Sequence, residues 1–210
     1  MAGRPALLYV DDVQEDRHLM DNAVKEAHAQ FQVRMVSGYN DVIDYLCRHD
    51  PYADPLHYPM PEVILLEYAL GNFKGTDVLR WIRGNREFAK CPVLMFSAVT
   101  DLRVVAECYA LGADYYLAKP ARHQDLIGIV RRLDICLGTT PPHWVPLRDI
   151  ASQPELARHH LRIELRQSLA ENAELRREQR GLSSRLDLTV AERKDALEKF
   201  PFVSKQNPKG

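Results

Sequence analysis

The chain has few of the features that mark a secreted, metal-stapled or membrane-embedded protein. Four of its 210 residues are cysteines, and no two of them form a Cys-x-x-Cys pair. Scattered cysteines without clustered histidines argue against a disulfide framework and a zinc site, and favour free thiols in a reducing compartment. No apolar run is long enough to span a bilayer, and the N-terminal run is too short for a signal peptide. These absences predict a cytoplasmic protein that does not enter a membrane.

The chain also lacks a strong charge of either sign. Its formal net charge is −1, so nothing global indicates a protein that binds nucleic acid or a membrane surface. The charge is uneven, because residues 151–210 contain 12 basic and 9 acidic side chains, a balance of +3. Hydrophobic residues make up 46% of the chain, which is enough for one sizeable core and leaves too little for a second large domain.

Five short apolar runs alternate with helical patterns in the first two thirds of the chain. The apolar runs are 6–10, 31–36, 63–66, 92–96 and 114–117. Helical spacing of apolar residues follows each of them, at 14–28, 39–46, from 76, at 101–111 and at 124–137. A proline-rich stretch before the third run excludes helix and central strand and predicts a loop. Such alternation predicts an open, parallel α/β sheet.

The C-terminal third differs in composition. Residues 139–154 contain four prolines and predict a linker. Residues 155–200 are charged and carry leucines at partial heptad spacing, which predicts a helical extension, and 201–210 form a tail. Two arrangements fit the extension: a two-stranded coiled coil, which would make the protein a homodimer, or a helical hairpin that bends near Gly181.

Side chains that carry chemistry stand where the predicted strands end. They are Asp11 and Asp12 after the first strand, Glu67 after the third, Ser97 after the fourth and Lys119 after the fifth. Parallel sheets gather these ends at one edge, where ligands bind. Carboxylates without soft ligands suit Mg²⁺, and a hydroxyl with a lysine can hold the oxygens of a phosphoryl group.

With these positions, residues 5–137 resemble the receiver domain of bacterial two-component response regulators. The motifs that carry the resemblance are LLYVDD, VILLE, FSA and LAKPA, together with Gly75 eight residues after Glu67. The long proline-rich loop also resembles the phytochrome-associated branch of these regulators. The resemblance implies a receiver domain at 1–138, doubly wound with the flavodoxin-like strand order 2-1-3-4-5.

The resemblance also implies a metal site. Asp11 and Asp12 match the family's metal-binding acids, the carbonyl oxygen of Ala69 matches its main-chain ligand, and Mg²⁺ is the cofactor that such a site would take. Taken alone, Asp12 would instead cap the first helix, with Glu15 completing a capping box.

Further roles follow from the same resemblance. Lys119 matches the lysine that contacts the phosphoryl group, which in the family commonly precedes a cis proline, here Pro120. Ser97 matches the hydroxyl switch that moves to the phosphoryl oxygens. Tyr116 matches the aromatic switch that turns inward on activation.

Glu67 departs from the family pattern, which has the phosphoacceptor aspartate at this position. One added methylene moves the attacking oxygen by roughly 1 Å, a displacement that can cost about a hundredfold in rate. Three hypotheses follow: Glu67 mimics the phosphorylated aspartate, is a passive acid paired with Lys119, or retains residual phosphorylation.

The sequence therefore predicts a non-enzymatic signalling or adaptor module that works without phosphorylation. Its expected partners are proteins, namely a histidine kinase or a downstream signalling protein, which dock on the face formed by the fourth helix, fifth strand and fifth helix, or on the C-terminal helix. One alternative is an antitermination-like regulator whose tail binds nucleic acid under control of the receiver. The other is a conventional phosphorylated regulator.

Overall fold

The structure is a computed structural model that describes residues 4–139, 141–147 and 150–152. Its strands are β1 (Ala6–Val10), β2 (Gln32–Val36), β3 (Val63–Leu66), β4 (Ala69–Leu70), β5 (Phe73–Lys74), β6 (Val93–Ser97) and β7 (Tyr115–Ala118). Five of them form a parallel sheet in the order β2-β1-β3-β6-β7, and β4 with β5 form a separate hairpin. The predicted doubly wound α/β fold with order 2-1-3-4-5 is confirmed. The predicted extension at 155–200 and the tail lie outside the described residues.

The three central strands of the sheet are buried along their whole length. Every residue of β1, β3 and β6 is buried. This burial explains why their sequences are continuous apolar runs rather than alternating ones, since a parallel strand that is covered on both faces has no polar side. The sheet is therefore a rigid platform whose carboxyl edge presents the polar residues that follow each run.

Helices cover both faces of the sheet. They are α1 (Gln14–Glu26), α2 (Tyr39–Cys47), α3 (Gly75–Gly84), α4 (Leu102–Ala110) and α5 (His123–Leu137). On one face, Met20 of α1 packs with Ile127 and Val130 of α5. On the other face, α2, α3 and α4 contribute Val42, Leu79 and Val105. The sheet divides the apolar interior into two layers, as expected for a doubly wound fold.

The loop before β3 is ordered by a cluster of tyrosines. Tyr45, Tyr52 and Tyr58 lie with ring centroids 5.1–6.0 Å apart, and the Tyr45 hydroxyl donates to the Pro59 carbonyl at 2.8 Å. The resemblance predicted a cis bond before Pro120. That prediction is wrong: among the described residues the cis peptide bond is Asp50–Pro51, and the Lys119–Pro120 bond takes the trans form that X–Pro bonds generally prefer.

The segment after α5 packs against the domain. Val145–Leu147 form a short 3₁₀ turn, and Leu147 is fully buried in the core layer that α1 and α5 form. Ala151 forms an antiparallel bridge with Leu117 of β7. The described part of the predicted linker is thus seated on the sheet edge and on α5.

Candidate functional site

The carboxyl edge of the sheet brings together four of the predicted site residues. Asp11 follows β1, Glu67 follows β3, Ser97 ends β6 and Lys119 follows β7. The Asp11, Glu67 and Ser97 side chains are buried, and each is linked directly to Lys119 or to Glu67. The structure thus brings these four strand-end residues together at one place.

Lys119 is the centre of the cluster. Its ammonium lies 2.6 Å from a carboxylate oxygen of each of Asp11, Asp16 and Glu67. Burial by itself lowers the pKa of this lysine, but the hydrogen bonds to the three carboxylates outweigh burial and raise its pKa above the ordinary value. Lys119 therefore stays charged and holds three acids from different parts of the fold in one place.

Both oxygens of the Glu67 carboxylate are engaged. Oε1 accepts hydrogen bonds from the Ser97 hydroxyl and from the backbone N–H groups of Tyr68 at 2.6 Å and Ala69 at 3.1 Å. Oε2 lies 2.6 Å from Lys119 Nζ. The side chain is thus fixed between a hydroxyl and an ammonium, the two groups that the resemblance assigns to phosphoryl binding.

The backbone next to Glu67 requires a glycine. A Cβ on Gly75 would lie 2.2 Å from the Glu67 carbonyl oxygen, and the Gly75 N–H donates to the Tyr68 carbonyl at 2.6 Å. The hairpin of β4 and β5 spans the residues between them and turns at Gly71, whose φ is +58°. Gly75 therefore lets α3 begin directly against the strand end that carries Glu67.

Asp11 is also fully satisfied. Its Oδ1 accepts from the Val13 N–H at 3.0 Å, and its Oδ2 accepts from Lys119 at 2.6 Å and from the Tyr9 hydroxyl. Burial, followed by the bond to Asp11, raises the pKa of Tyr9, which keeps the hydroxyl a donor. Tyr9 and Asp11 lie two residues apart, on the same side of the extended chain.

Sequence reasoning missed Tyr9 and Asp16. For Tyr9 a signal was available in its spacing from Asp11. Asp16 lies on the first turn of α1, and its contact with Lys119 depends on how that helix is rotated against the sheet.

Asp12 is not part of the buried cluster. Its side chain is exposed, and its Oδ2 accepts from the Gly71 N–H at 2.9 Å, which anchors the β4–β5 hairpin. It does not cap α1 either, because the N-cap of that helix is Val13, with no side-chain cap bond. The alternative of a capping box between Asp12 and Glu15 is therefore wrong.

As arranged, these acids do not fit a divalent cation. Each of the four carboxylate oxygens of Asp11 and Glu67 already accepts from a protein donor, and Asp12 faces the hairpin. In the part of the chain that the structure describes, no three His, Cys, Asp or Glu side chains form a group that could hold a metal ion. The positive charge that these acids surround is the Lys119 ammonium.

Tyr116 is turned into the fold. Its ring is fully buried, and its hydroxyl donates to the Val99 carbonyl at 2.6 Å. The Val99 N–H in turn donates to the Ser97 hydroxyl oxygen at 3.2 Å. Burial raises the pKa of the Tyr116 phenol, so this hydroxyl remains a donor. The two predicted switch residues are thus connected through Val99.

A family model for the response regulator receiver domain matches residues 7–131. The chain belongs to this family. The receiver is therefore a domain of two-component signalling, and receiver domains commonly bind Mg²⁺ or Mn²⁺. Among the described residues of this receiver, no helix has the length and apolar character needed to cross a membrane.

Similar proteins agree with this placement. The transcriptional regulatory protein GltR of Pseudomonas aeruginosa is 31% identical over 128 residues, which are 61% of this chain and 48% of GltR. The chain thus spans about half the length of that relative. The response regulator RPA3017, in red light signaling of R. palustris, has a TM-score of 0.59 at 25% identity and covers 62% of this chain and 92% of its own.

The phosphorylated cyanobacterial phytochrome response regulator RcpA also has a TM-score of 0.59, at 23% identity, and covers 66% of this chain and 96% of its own. At that identity the likeness concerns the fold alone. The predicted similarity to phytochrome-associated response regulators is therefore confirmed for the fold.

Proposed function

We propose that this receiver is a signalling module that works without aspartyl phosphorylation, because Glu67 takes the place of a phosphorylated aspartate. The observation that carries the proposal is the Glu67 carboxylate itself, which binds the Ser97 hydroxyl with one oxygen and Lys119 with the other. By the family resemblance these two groups hold a phosphoryl group. Here the longer acid reaches both of them from the end of β3.

The same contacts disfavour Glu67 as a phosphoryl acceptor. Phosphoryl transfer depends on the position and electrostatics of an unhindered attacking oxygen. Both Glu67 oxygens are occupied by donors, and an attack would have to break some of these contacts. The mimicry is partial in charge, since a carboxylate brings one negative charge where a phosphoryl group brings about 1.5 to 2.

The position of Tyr116 supports an engaged rather than a resting arrangement. The resemblance implies that the aromatic switch turns inward on activation, and Tyr116 is fully buried with its hydroxyl on Val99. Val99 is bound to the Ser97 hydroxyl, which donates to Glu67. A continuous set of hydrogen bonds therefore connects Glu67 with Tyr116.

The module we propose has no enzymatic activity and no requirement for Mg²⁺. The Lys119 ammonium takes over the pairing of acids that a divalent ion provides in the family, since it contacts Asp11, Asp16 and Glu67 at once. Its output is protein association, with a histidine kinase or a downstream protein as partner and with homodimers formed through the C-terminal extension. The competing hypothesis is a regulator that depends on phosphorylation, and the following experiment distinguishes it from this proposal.

Amide hydrogen exchange of wild type and Glu67→Asp tests the proposal. The shorter acid should leave Ser97 and Lys119 unengaged until beryllofluoride and Mg²⁺ are added. We expect wild type alone to match beryllofluoride-treated Glu67→Asp at residues 97–101 and 115–118, and to differ from the untreated variant. Wild type that matches untreated Glu67→Asp would refute the engaged state.

A further inference from the structure

The described segment after α5 occupies the face made by α4, β7 and α5. We call residues 144–147 and 150–152 the latch. Leu147 is fully buried, and Trp144, Ile150 and Ala151 pack partly buried against the same core layer. The latch contributes apolar side chains to the core although its sequence, which contains Pro146, gives no helical or strand pattern.

Each element of this face holds the latch by a hydrogen bond. From α5, Arg132 donates to the Pro146 carbonyl at 2.8 Å. From β7, the Tyr116 carbonyl accepts from the Ser152 N–H at 2.8 Å. From α4, the Tyr109 hydroxyl donates to the Ser152 carbonyl at 2.7 Å and accepts from the Tyr116 N–H at 3.1 Å. Tyr109 thus joins the latch to the sheet edge.

The latch covers part of an edge that would otherwise be open to pairing. β7 is the last strand of the sheet, and an uncovered edge strand presents free backbone groups to any extended segment. Ala151 takes that place through its antiparallel bridge with Leu117. A protein that docks by pairing with β7 must therefore first displace the latch.

Space remains beside the latch. A groove of about 370 Å³ is lined on the β7 side by Leu117 and Ala118, on the α5 side by residues that include Ile129 and Arg132, and on the latch side by Ile150. An apolar side chain of a partner would fit beside Leu117, Ile129 and Ile150 in this groove, whose lining also includes Arg132 and Asp125. The groove gives a displacing segment a place to start.

Tyr116 connects the latch with the acidic site. Its side-chain hydroxyl is bound to Val99, and through it to Ser97, while its backbone N–H and carbonyl are bound to Tyr109 and Ser152. A movement of Tyr116 would therefore disturb the bonds that hold the end of the latch. In the sequence, the predicted C-terminal extension follows from residue 155.

We propose that the latch is autoinhibitory: it closes the α4–β7–α5 face in cis and is controlled through Tyr116. The occupant of the face is this segment of the chain itself. The closed position of the latch follows from the contacts of the latch itself. Its control by the acidic site rests on the function proposed above. When the latch is displaced, the α4–β7–α5 face accepts an extended, mainly apolar segment that pairs with β7.

Amide exchange of the full chain tests the latch. The N–H groups of Ile150, Ala151 and Ser152 are all hydrogen-bonded, so we expect them to be protected in wild type. Tyr109→Phe removes two hydrogen bonds and should accelerate their exchange about tenfold. Tyr39→Phe, the same change at a tyrosine that stacks on Phe73, should leave them unchanged. Ser152→Pro, which removes one donor at the end of the latch, should accelerate the exchange of the Ile150 and Ala151 N–H groups as Tyr109→Phe does.

Two results would overturn the latch: exchange of residues 150–152 at unprotected rates in wild type, or equal rates at Ile150 and Ala151 in wild type, Tyr109→Phe and Ser152→Pro. Glu67→Gln tests whether the acidic site controls the latch. We expect this variant to exchange faster than wild type both at residues 97–101 and at Ser152. A change at 97–101 with Ser152 unaffected would overturn the control by Tyr116 and leave the proposed function intact. No change at 97–101 would instead contradict the proposed function.

Discussion

The Lys119 ammonium lies 2.6 Å from the Glu67 carboxylate, and their side chains are only 14% and 7% exposed. The pair joins the ends of β7 and β3 across β6, whose last residue, Ser97, donates to the same carboxylate. The acidic site is therefore also a structural joint at the carboxyl edge of the sheet. Its stability and its signalling state depend on the same few contacts.

Lys119→Met should strongly destabilise the receiver. The substitution leaves Asp11, Asp16 and Glu67 without their shared cation, and removal of one partner from a buried ion pair costs about 3–5 kcal/mol. Lys25→Met is the matched control, because Lys25 pairs with Asp21 on the surface and exposed pairs contribute about 0–1 kcal/mol. Urea unfolding at pH 7 measures both. Equal losses would show that the buried cluster contributes nothing beyond an exposed pair.

Gly75→Ala should destabilise the site from the backbone side. The added Cβ would meet the Glu67 carbonyl oxygen at 2.2 Å, and overpacking of this kind costs about 1–3 kcal/mol. Gly128→Ala is the control, since the new Cβ there meets nothing within 4 Å and alanine favours a helix interior by about 1 kcal/mol. We expect the melting temperature to fall for the first variant and to rise for the second. A rise for both would contradict the close approach of α3 to Glu67.

Stability should decline at alkaline pH, in part through Cys108. Burial raises the pKa of this thiol to about 12, whereas an unfolded chain releases the thiol proton near pH 8.5. The stabilising contribution is thus complete below about pH 8.5 and is lost as pH rises toward the folded pKa, by up to about 1.4 kcal/mol per pH unit.

Cys108→Ala should reduce this loss. The cavity left by the substitution lowers stability at every pH, so the slope between pH 8 and pH 10.5 is the informative quantity. Urea titrations across that interval should give a steeper decline for wild type than for the variant. Parallel curves would contradict the assignment of the decline to Cys108.

Mg²⁺ should not stabilise the wild-type receiver. Every carboxylate oxygen of Asp11 and Glu67 has a protein donor, so an ion would have to displace Lys119. In Glu67→Asp the shorter acid no longer contacts Lys119, so Mg²⁺ can bind. At a concentration of a hundred times its dissociation constant, Mg²⁺ would add about 2.7 kcal/mol to the free energy of unfolding. Thermal melts in millimolar MgCl₂, with KCl at matched ionic strength, should shift the variant alone. An equal shift of wild type would disprove the metal-independent site.

The fold could be predicted from the sequence because its strands are short apolar runs that end in polar residues. The runs at 6–10 and 63–66 agree with β1 and β3 to the residue, since parallel strands covered on both faces carry no competing pattern. The convergence of Glu67, Ser97 and Lys119 followed from that topology. These features depend on local sequence and on general rules of sheet connection.

The remaining features depend on tertiary contacts that no local pattern records. Pro146 within the latch, together with Pro141 and Pro142 just before it, favours a loop, and Leu147 is buried only because it packs against α5 and the sheet. Asp16 reaches Lys119 because of the rotation of α1. Asp12 turns to Gly71 because the chain after Glu67 forms a hairpin.

The most direct measurement of the central claim is labelling with a small phosphodonor. Wild type and Glu67→Asp are incubated with acetyl phosphate and Mg²⁺, and intact-mass spectrometry with peptide mapping follows the added phosphoryl group. We predict that wild type stays unmodified at Glu67, whereas the aspartate variant gains one phosphoryl group at position 67. Stoichiometric modification of Glu67 at the rate of the aspartate variant would contradict the account.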